Sequence, residues 1–151
     1  MANSYSSIHI HIIFAVKYRE ALISPLIRQK VHMYMTKVLT NQGHTVLALN
    51  GTDDHVHALI GYNENILLKD TVRELKVATT KFINGNNLTL RSFAWQLGSG
   101  RFDASNPEAV AEYIRNQVEH HKHMTFRQEY EKILRRYGVD YDPQYIFTEP
   151  E

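Results

Sequence analysis

The feature that most restricts what this chain can fold into is the order in which its hydrophobic period changes. Residues 7 to 16 alternate, with Ile8, Ile10, Ile12 and Phe14 on one side and His9, His11 and Ile13 on the other, which is the period of a strand. The period then lengthens. Ser24 is placed to cap a helix that begins with Pro25 and stops at Gly43, about five turns at 3.6 residues per turn. HTVLALN and DHVHALIGY read as two short strands joined through the turn-rich GTDD, as in a hairpin. From Leu67 to about Phe82 the positions Leu68, Val72, Leu75, Thr79 and Phe82 recur at three and four, so a second helix follows, and GNN ends it. SFAWQLG reads as a fourth strand and GSGRFDAS as a loop. Two more helices are predicted over roughly 106 to 122 and 125 to 137, the first capped by Ser105 or Asn106 with Pro107 in its first turn. The order β-α-β-β-α-β predicts an α+β fold: a ferredoxin-like, RRM-like antiparallel sheet with helices on one face, followed by C-terminal helices.

Length and composition suit a single unit of this kind. A chain of 151 residues closes a core without staples, and no repeat, linker or low-complexity tract divides it, so one domain over 1–151 is expected, with fraying only at 148–151. The absence of cysteine excludes disulfides, thiolate metal sites and thiol catalysis, and suits a cytoplasmic location. The opening MANSYSSIHIHIIFAVKYRE has its charges after the apolar run, so neither a signal peptide nor a membrane span is expected there. Seventeen basic and sixteen acidic residues leave a formal charge of +1, too balanced to announce nucleic-acid binding by charge alone.

Within this frame the pair in GTDDHVHALIG needs explaining. Side chains two apart on a strand share a face, so His55 and His57 lie together with Leu59, about 7 Å apart along the strand, close enough to converge on one metal ion. An ordinary solvated strand face would also accommodate two histidines, and a metal site needs further ligands. In AVAEYIRNQVEHH, Tyr113 and Gln117 are four apart and therefore neighbours on one helical face. Tyr113 also borders the stripe Val110, Ile114 and Val118, where a tyrosine at the edge of a core needs no function.

Taken together, DDHVHALI, YREALIS after the opening strand, WQLGSGRF and YIRNQVEHH stand in an order and spacing that resemble the single-tyrosine HUH transposases of small bacterial and archaeal insertion sequences, over about Ser6 to Phe147. The resemblance implies that His55, His57 and Gln117 hold a divalent metal, Mg2+ or Mn2+, and that Tyr113 is the catalytic nucleophile. It also implies a DNA transposase that cleaves and rejoins single-stranded DNA at insertion-sequence ends through a 5′-phosphotyrosine intermediate. Such an enzyme recognises a DNA hairpin, acts as a homodimer and needs no nucleotide cofactor. Gly98-Ser99-Gly100 departs from the Gly-Tyr-Gly usual in the family. The paired glycines are candidates for a hinge before the helix that carries Tyr113. The implied chemistry suits these residues. Only about one phenol in a thousand is ionised at neutral pH, so tyrosine needs an activating cation. Nitrogen and oxygen donors without thiolate suit magnesium or manganese.

Lys17, Arg19, Lys76, Lys81 and Arg101 are candidate phosphate contacts, and Tyr18, Tyr62 and Phe102 candidate stacking platforms for unpaired bases, although each also fits a surface or core role. Phe93 and Trp95 read as core, and His9 and His11 as structural or surface residues. EHHKH, with His121 four beyond Gln117, could supply a ligand, but histidine and lysine also complement a helix C-terminus. Two alternatives remain open: a domesticated HUH endonuclease acting on chromosomal repeats, and a metal-dependent phosphodiester hydrolase using His55, His57 and one EHHKH histidine with an activated water. An RNA-binding module is disfavoured, because the aromatic signature of such modules is missing from RSFAWQLGSGRF.

Overall fold

A computed structural model describes residues 5–143 and 146; the frayed end expected at 148–151 lies outside the described residues. Strands β1 (His9–Ala15), β2 (Thr45–Gly51), β3 (His55–Gly61) and β4 (Gly100–Asp103) form one antiparallel sheet in the order β2-β3-β1-β4. This is the expected ferredoxin-like arrangement. Helices α1 (Pro25–Asn41) and α2 (Leu68–Gly85) cover one face, where Ile12, Phe14, Val56, Ala58 and Ile60 from the sheet meet Val31, Met35, Leu39, Val72, Leu75 and Ile83. Each such fully buried aliphatic side chain contributes about 1.5–3 kcal/mol relative to exposure.

The opposite face is covered as well. α3 (Pro107–Arg115), the single turn α4 (Gln117–His120) and α5 (Phe126–Arg136) complete the chain. Ala48, Leu59 and Ala104 pack with Ala111 and Ile114 of α3, while Ile13, Ala15 and Phe102 pack with Phe126 and Leu134 of α5. With helices on both sides, β3 is buried from His55 through Ile60 and has no solvated face. The histidines at 55 and 57 are therefore interior groups, which need partners to be tolerated.

Two boundaries differ from the periodicity. The segment 92–98 is not a ladder strand: its only bridge among the described residues joins Trp95 to Val16, and the fourth strand is Gly100–Asp103, inside the expected loop, paired with Ile10–Ile13. Phe93 and Trp95 alternate because both enter the core, where Trp95 meets Phe14 edge-on at 4.6 Å and Phe93 at 4.8 Å. The helix expected over 106–122 breaks at Asn116. There the Asn50 amide, on β2, donates to the carbonyls of Ile114 and Arg115 at 3.1 and 3.0 Å, and a side chain inserted at backbone carbonyls is a recognised cause of such breaks. Beyond the break Val118, assigned to the apolar stripe, is 46% exposed.

Candidate active site

The site is built where β3 faces the two C-terminal helices. The tight β2–β3 turn presents His55, whose Nδ1 donates to Asp54 Oδ1 at 2.8 Å while its ring stacks on Phe126. That leaves Nε2 directed inward, 3.1 Å from Gln117 Oε1 and 3.4 Å from Glu129 Oε1. His57 repeats the arrangement with a different partner. Its Nδ1 lies 2.8 Å from His11 Nε2, and its own Nε2 lies 3.1 Å from Glu129 Oε1. Each histidine thus has one nitrogen engaged by protein and the other aimed at a common centre, the way imidazoles are fixed for metal binding.

The helical break at Asn116 does not separate the tyrosine from the glutamine. Both converge on Glu129 Oε2, which accepts from the Tyr113 hydroxyl and from Gln117 Nε2 at 2.9 Å. His121 Nε2 adds a contact of 2.9 Å to Glu129 Oε1, so that His55, His121 and Glu129 form a group able to hold a metal ion. The donor chemistry fits a divalent cation: imidazole nitrogens, an amide oxygen and a carboxylate, all buried or nearly so.

Burial penalises charge on every group here, and the hydrogen bonds decide which remain charged. Burial lowers the His57 pKa to about 4, with His55 and His121 adding to the effect and Glu129 opposing it. Burial likewise takes His11 to about 3, helped by His57. His55 moves the other way, because hydrogen bonds and charges from Asp54 and Glu129 outweigh its burial. Burial alone would raise Glu129, but bonds from His121, His55 and His57 hold its carboxyl well below the usual range, so it is ionised. Burial, then the Glu129 charge and hydrogen bond, push the Tyr113 phenol above its ordinary value against a smaller contribution from Gln117. The nucleophile candidate is therefore a neutral, tethered phenol.

A cavity of about 520 Å³ opens beside Tyr113 and Glu129, with Lys132, Arg136 and Tyr137 of the α5 end in its lining. None of these three was singled out from the sequence. The cations that were are placed elsewhere. Lys76 Nζ donates to the carbonyls of Gln96 and Gly98 at 2.9 and 2.6 Å and lies over the Phe14 ring, on the α1/α2 side. Lys17, Lys81 and Arg101 are exposed, and Arg19 is half-buried. Phe102 is 7% exposed and stacks on Tyr137, and Tyr62 stacks on His44, so both serve the fold; Tyr18 is half-buried beside Lys17. Gly100 is locked into β4, while Gly98 adopts a φ of +84° with open space around it.

The site thus sets a buried His-x-His pair on an inner strand of a ferredoxin-like sheet against a tyrosine and a glutamine from a C-terminal helical segment. The profile of the family described as "Transposase IS200 like" matches residues 4–117, and the chain belongs to that family. Among solved structures it is similar to a candidate transposase of Deinococcus radiodurans R1, at 22% identity and a TM-score of 0.63, covering 78% of this chain and 96% of the other. It is also similar to a REP-associated tyrosine transposase bound to a REP hairpin, at 16% identity and a TM-score of 0.56, covering 80% and 73%. No curated protein matches its sequence. Among the described residues no helix is long and apolar enough to cross a membrane.

Proposed function

We propose that this transposase cleaves and rejoins single-stranded DNA at insertion-sequence ends by a metal-dependent reaction in which Tyr113 is the nucleophile. The observation that carries this reading is that His55 Nε2, His57 Nε2 and the Gln117 amide meet around Glu129, the two imidazoles already engaged through their Nδ1 atoms, beside a tyrosine that lines a cavity. His55, His57 and Gln117 would hold Mg2+ or Mn2+, which when bound supplies Lewis-acid polarisation of the scissile phosphate. Tyr113 Oη forms a bond to phosphorus as the bond from phosphorus to the 3′ oxygen breaks. The phenol loses a proton and the departing oxygen gains one, leaving a 5′-phosphotyrosine and a 3′-hydroxyl. Because the phosphodiester count is conserved, another 3′-hydroxyl can reverse the step and join a new strand.

The substrate follows from the surroundings. Lys132 and Arg136 at the cavity rim suit phosphates of a strand passing Tyr113, whereas Lys17, Arg19, Lys81 and Arg101 would serve more distant backbone. A DNA hairpin with unpaired flanks is the natural form to test, and a homodimer its natural reader. A second reading is favoured by the group His55, His121 and Glu129, which could hold a metal for hydrolysis by water without Tyr113.

One experiment separates the two. Wild type and Tyr113→Phe are incubated with labelled single-stranded DNA from the flanks of the gene, with Mn2+ or EDTA, and resolved on a denaturing gel. A covalent adduct that needs metal and is absent from Tyr113→Phe is expected; cleavage surviving in the variant would favour the hydrolase.

A further inference from the structure

We propose that Glu129 is a fourth protein ligand of the cation, and that the same carboxylate holds the nucleophile beside it. This rests on the reading of the site given above. Glu129 lies on α5, beyond the residues 4–117 that match the family, and it is 1% exposed. Its Oε1 stands 3.1 Å from His57 Nε2 and 3.4 Å from His55 Nε2, while His55 Nε2 stands 3.1 Å from Gln117 Oε1. Cis donors bonded at about 2.0–2.2 Å around an octahedral magnesium or manganese ion lie roughly 2.8–3.1 Å from one another. Oε1 is thus spaced from His57 Nε2 as a ligand in the same shell would be, and stands slightly further from His55 Nε2.

An ordinary buried ion pair accounts poorly for this placement. Pairing a carboxylate requires one cation, yet three imidazoles face Oε1, from His55, His57 and His121. His55 and His57 are also held from behind by Asp54 and His11, a restraint that a simple ion pair does not need. His121, outside the His-x-His pair, reaches the same oxygen at 2.9 Å. The second oxygen does a different job. Oε2 accepts from the Tyr113 hydroxyl and from Gln117 Nε2, so α5 ties the nucleophile, the amide ligand and the metal shell into one unit. A carboxylate in the shell also offsets one of the cation's two charges and adds a hard oxygen, which suits manganese or magnesium.

The test is Mn2+ binding by calorimetry to the full chain, for wild type and Glu129→Gln, with melting in EDTA to check the fold. Wild type is expected to bind one Mn2+ and Glu129→Gln to bind at least about tenfold more weakly. Unchanged or tighter binding by folded Glu129→Gln would overturn the proposal, since the carboxylate would then be a plug that the cation displaces. Should Glu129→Gln fail to fold, a Mn2+-soaked crystal of the wild type decides. Oε1 within about 2.2 Å of the ion supports the proposal, and Oε1 outside coordination distance overturns it. Failure of wild type to bind Mn2+ would overturn this proposal and the reading of the site together. A metal-dependent Tyr113 adduct with an unaltered Glu129→Gln affinity would overturn only this proposal.

Discussion

His11 gives its Nε2 to His57 Nδ1 and is 4% exposed, so it acts on the site only through its neighbour, as a positioning residue. Without a metal, His57 Nε2 donates to Glu129 and its Nδ1 accepts from His11; with Nε2 bared for a cation, Nδ1 must carry the proton and His11 must accept it. His11 has to tolerate both tautomers, which an imidazole does by switching its own. His11→Ala is expected to cost about 1–3 kcal/mol of stability for the unpartnered nitrogen and to weaken Mn2+ binding about 10- to 100-fold. His11→Gln, which can donate or accept, should restore part of the binding, and calorimetry with denaturant melts reads both. At this scale the sequence was legible where residues lie close along the chain: His55 with His57 by the period of a strand, Tyr113 with Gln117 by the turn of a helix. His11 and Glu129 reach His57 across 46 and 72 residues, distances over which no local spacing operates. Glu129 did leave a trace, as an acid on the buried face of α5 otherwise made by Phe126, Ile133 and Leu134.

Between residue and fold, two short features aim the site. The β2–β3 turn must close tightly for β3 to start at His55, and at Gly51 a Cβ would lie 2.1 Å from the His55 carbonyl oxygen. That neighbour is backbone and cannot swing away. Gly51→Ala is therefore expected to destabilise the protein by about 1–3 kcal/mol and to displace His55, weakening Mn2+ binding as well; a wild-type melting curve would show the turn to be more compliant than this. Asn50, one residue earlier, takes the last carbonyls of α3 and sets the break that lets Gln117 turn inward while Tyr113 stays at the cavity. Asn50→Ala should leave the sheet intact, cost about 1 kcal/mol, and lower the yield of Tyr113 adduct more than it lowers Mn2+ affinity. The strands and helices that bury one regular stripe were legible from period alone. β4 was not, because its four residues are too short for a periodic signal, and the helical break was not, because its cause lies on another strand.

For the whole molecule, the site is an interior built of histidines, and its stability must follow their protonation. His11 and His57 have folded pKa values of about 3 and 4, and His32 on α1, half-buried beside Arg28, is also lowered to about 4. Unfolded, each returns to about 6.5. Between these limits the unfolded chain binds more protons, so stability is complete above pH 6.5 and is lost progressively as pH falls toward 4. His55 has the opposite sign: its raised pKa contributes stability below 6.5 that is lost as pH rises through the folded value. Glu129, held low, adds its loss only below the ordinary carboxylate range. Between pH 6.5 and 4.5 the His55 contribution is already complete, while His11, His32, His57 and His44, which burial also lowers, all lose theirs, and each tenfold change in proton affinity is worth about 1.4 kcal/mol. In EDTA the melting temperature should therefore fall steadily over that interval, and His32→Gln, remote from the metal ligands, should flatten the slope without touching Mn2+ affinity at pH 7.5. A melting temperature that holds or rises over that interval would mean that the folded chain takes up protons at these histidines as readily as the unfolded chain does.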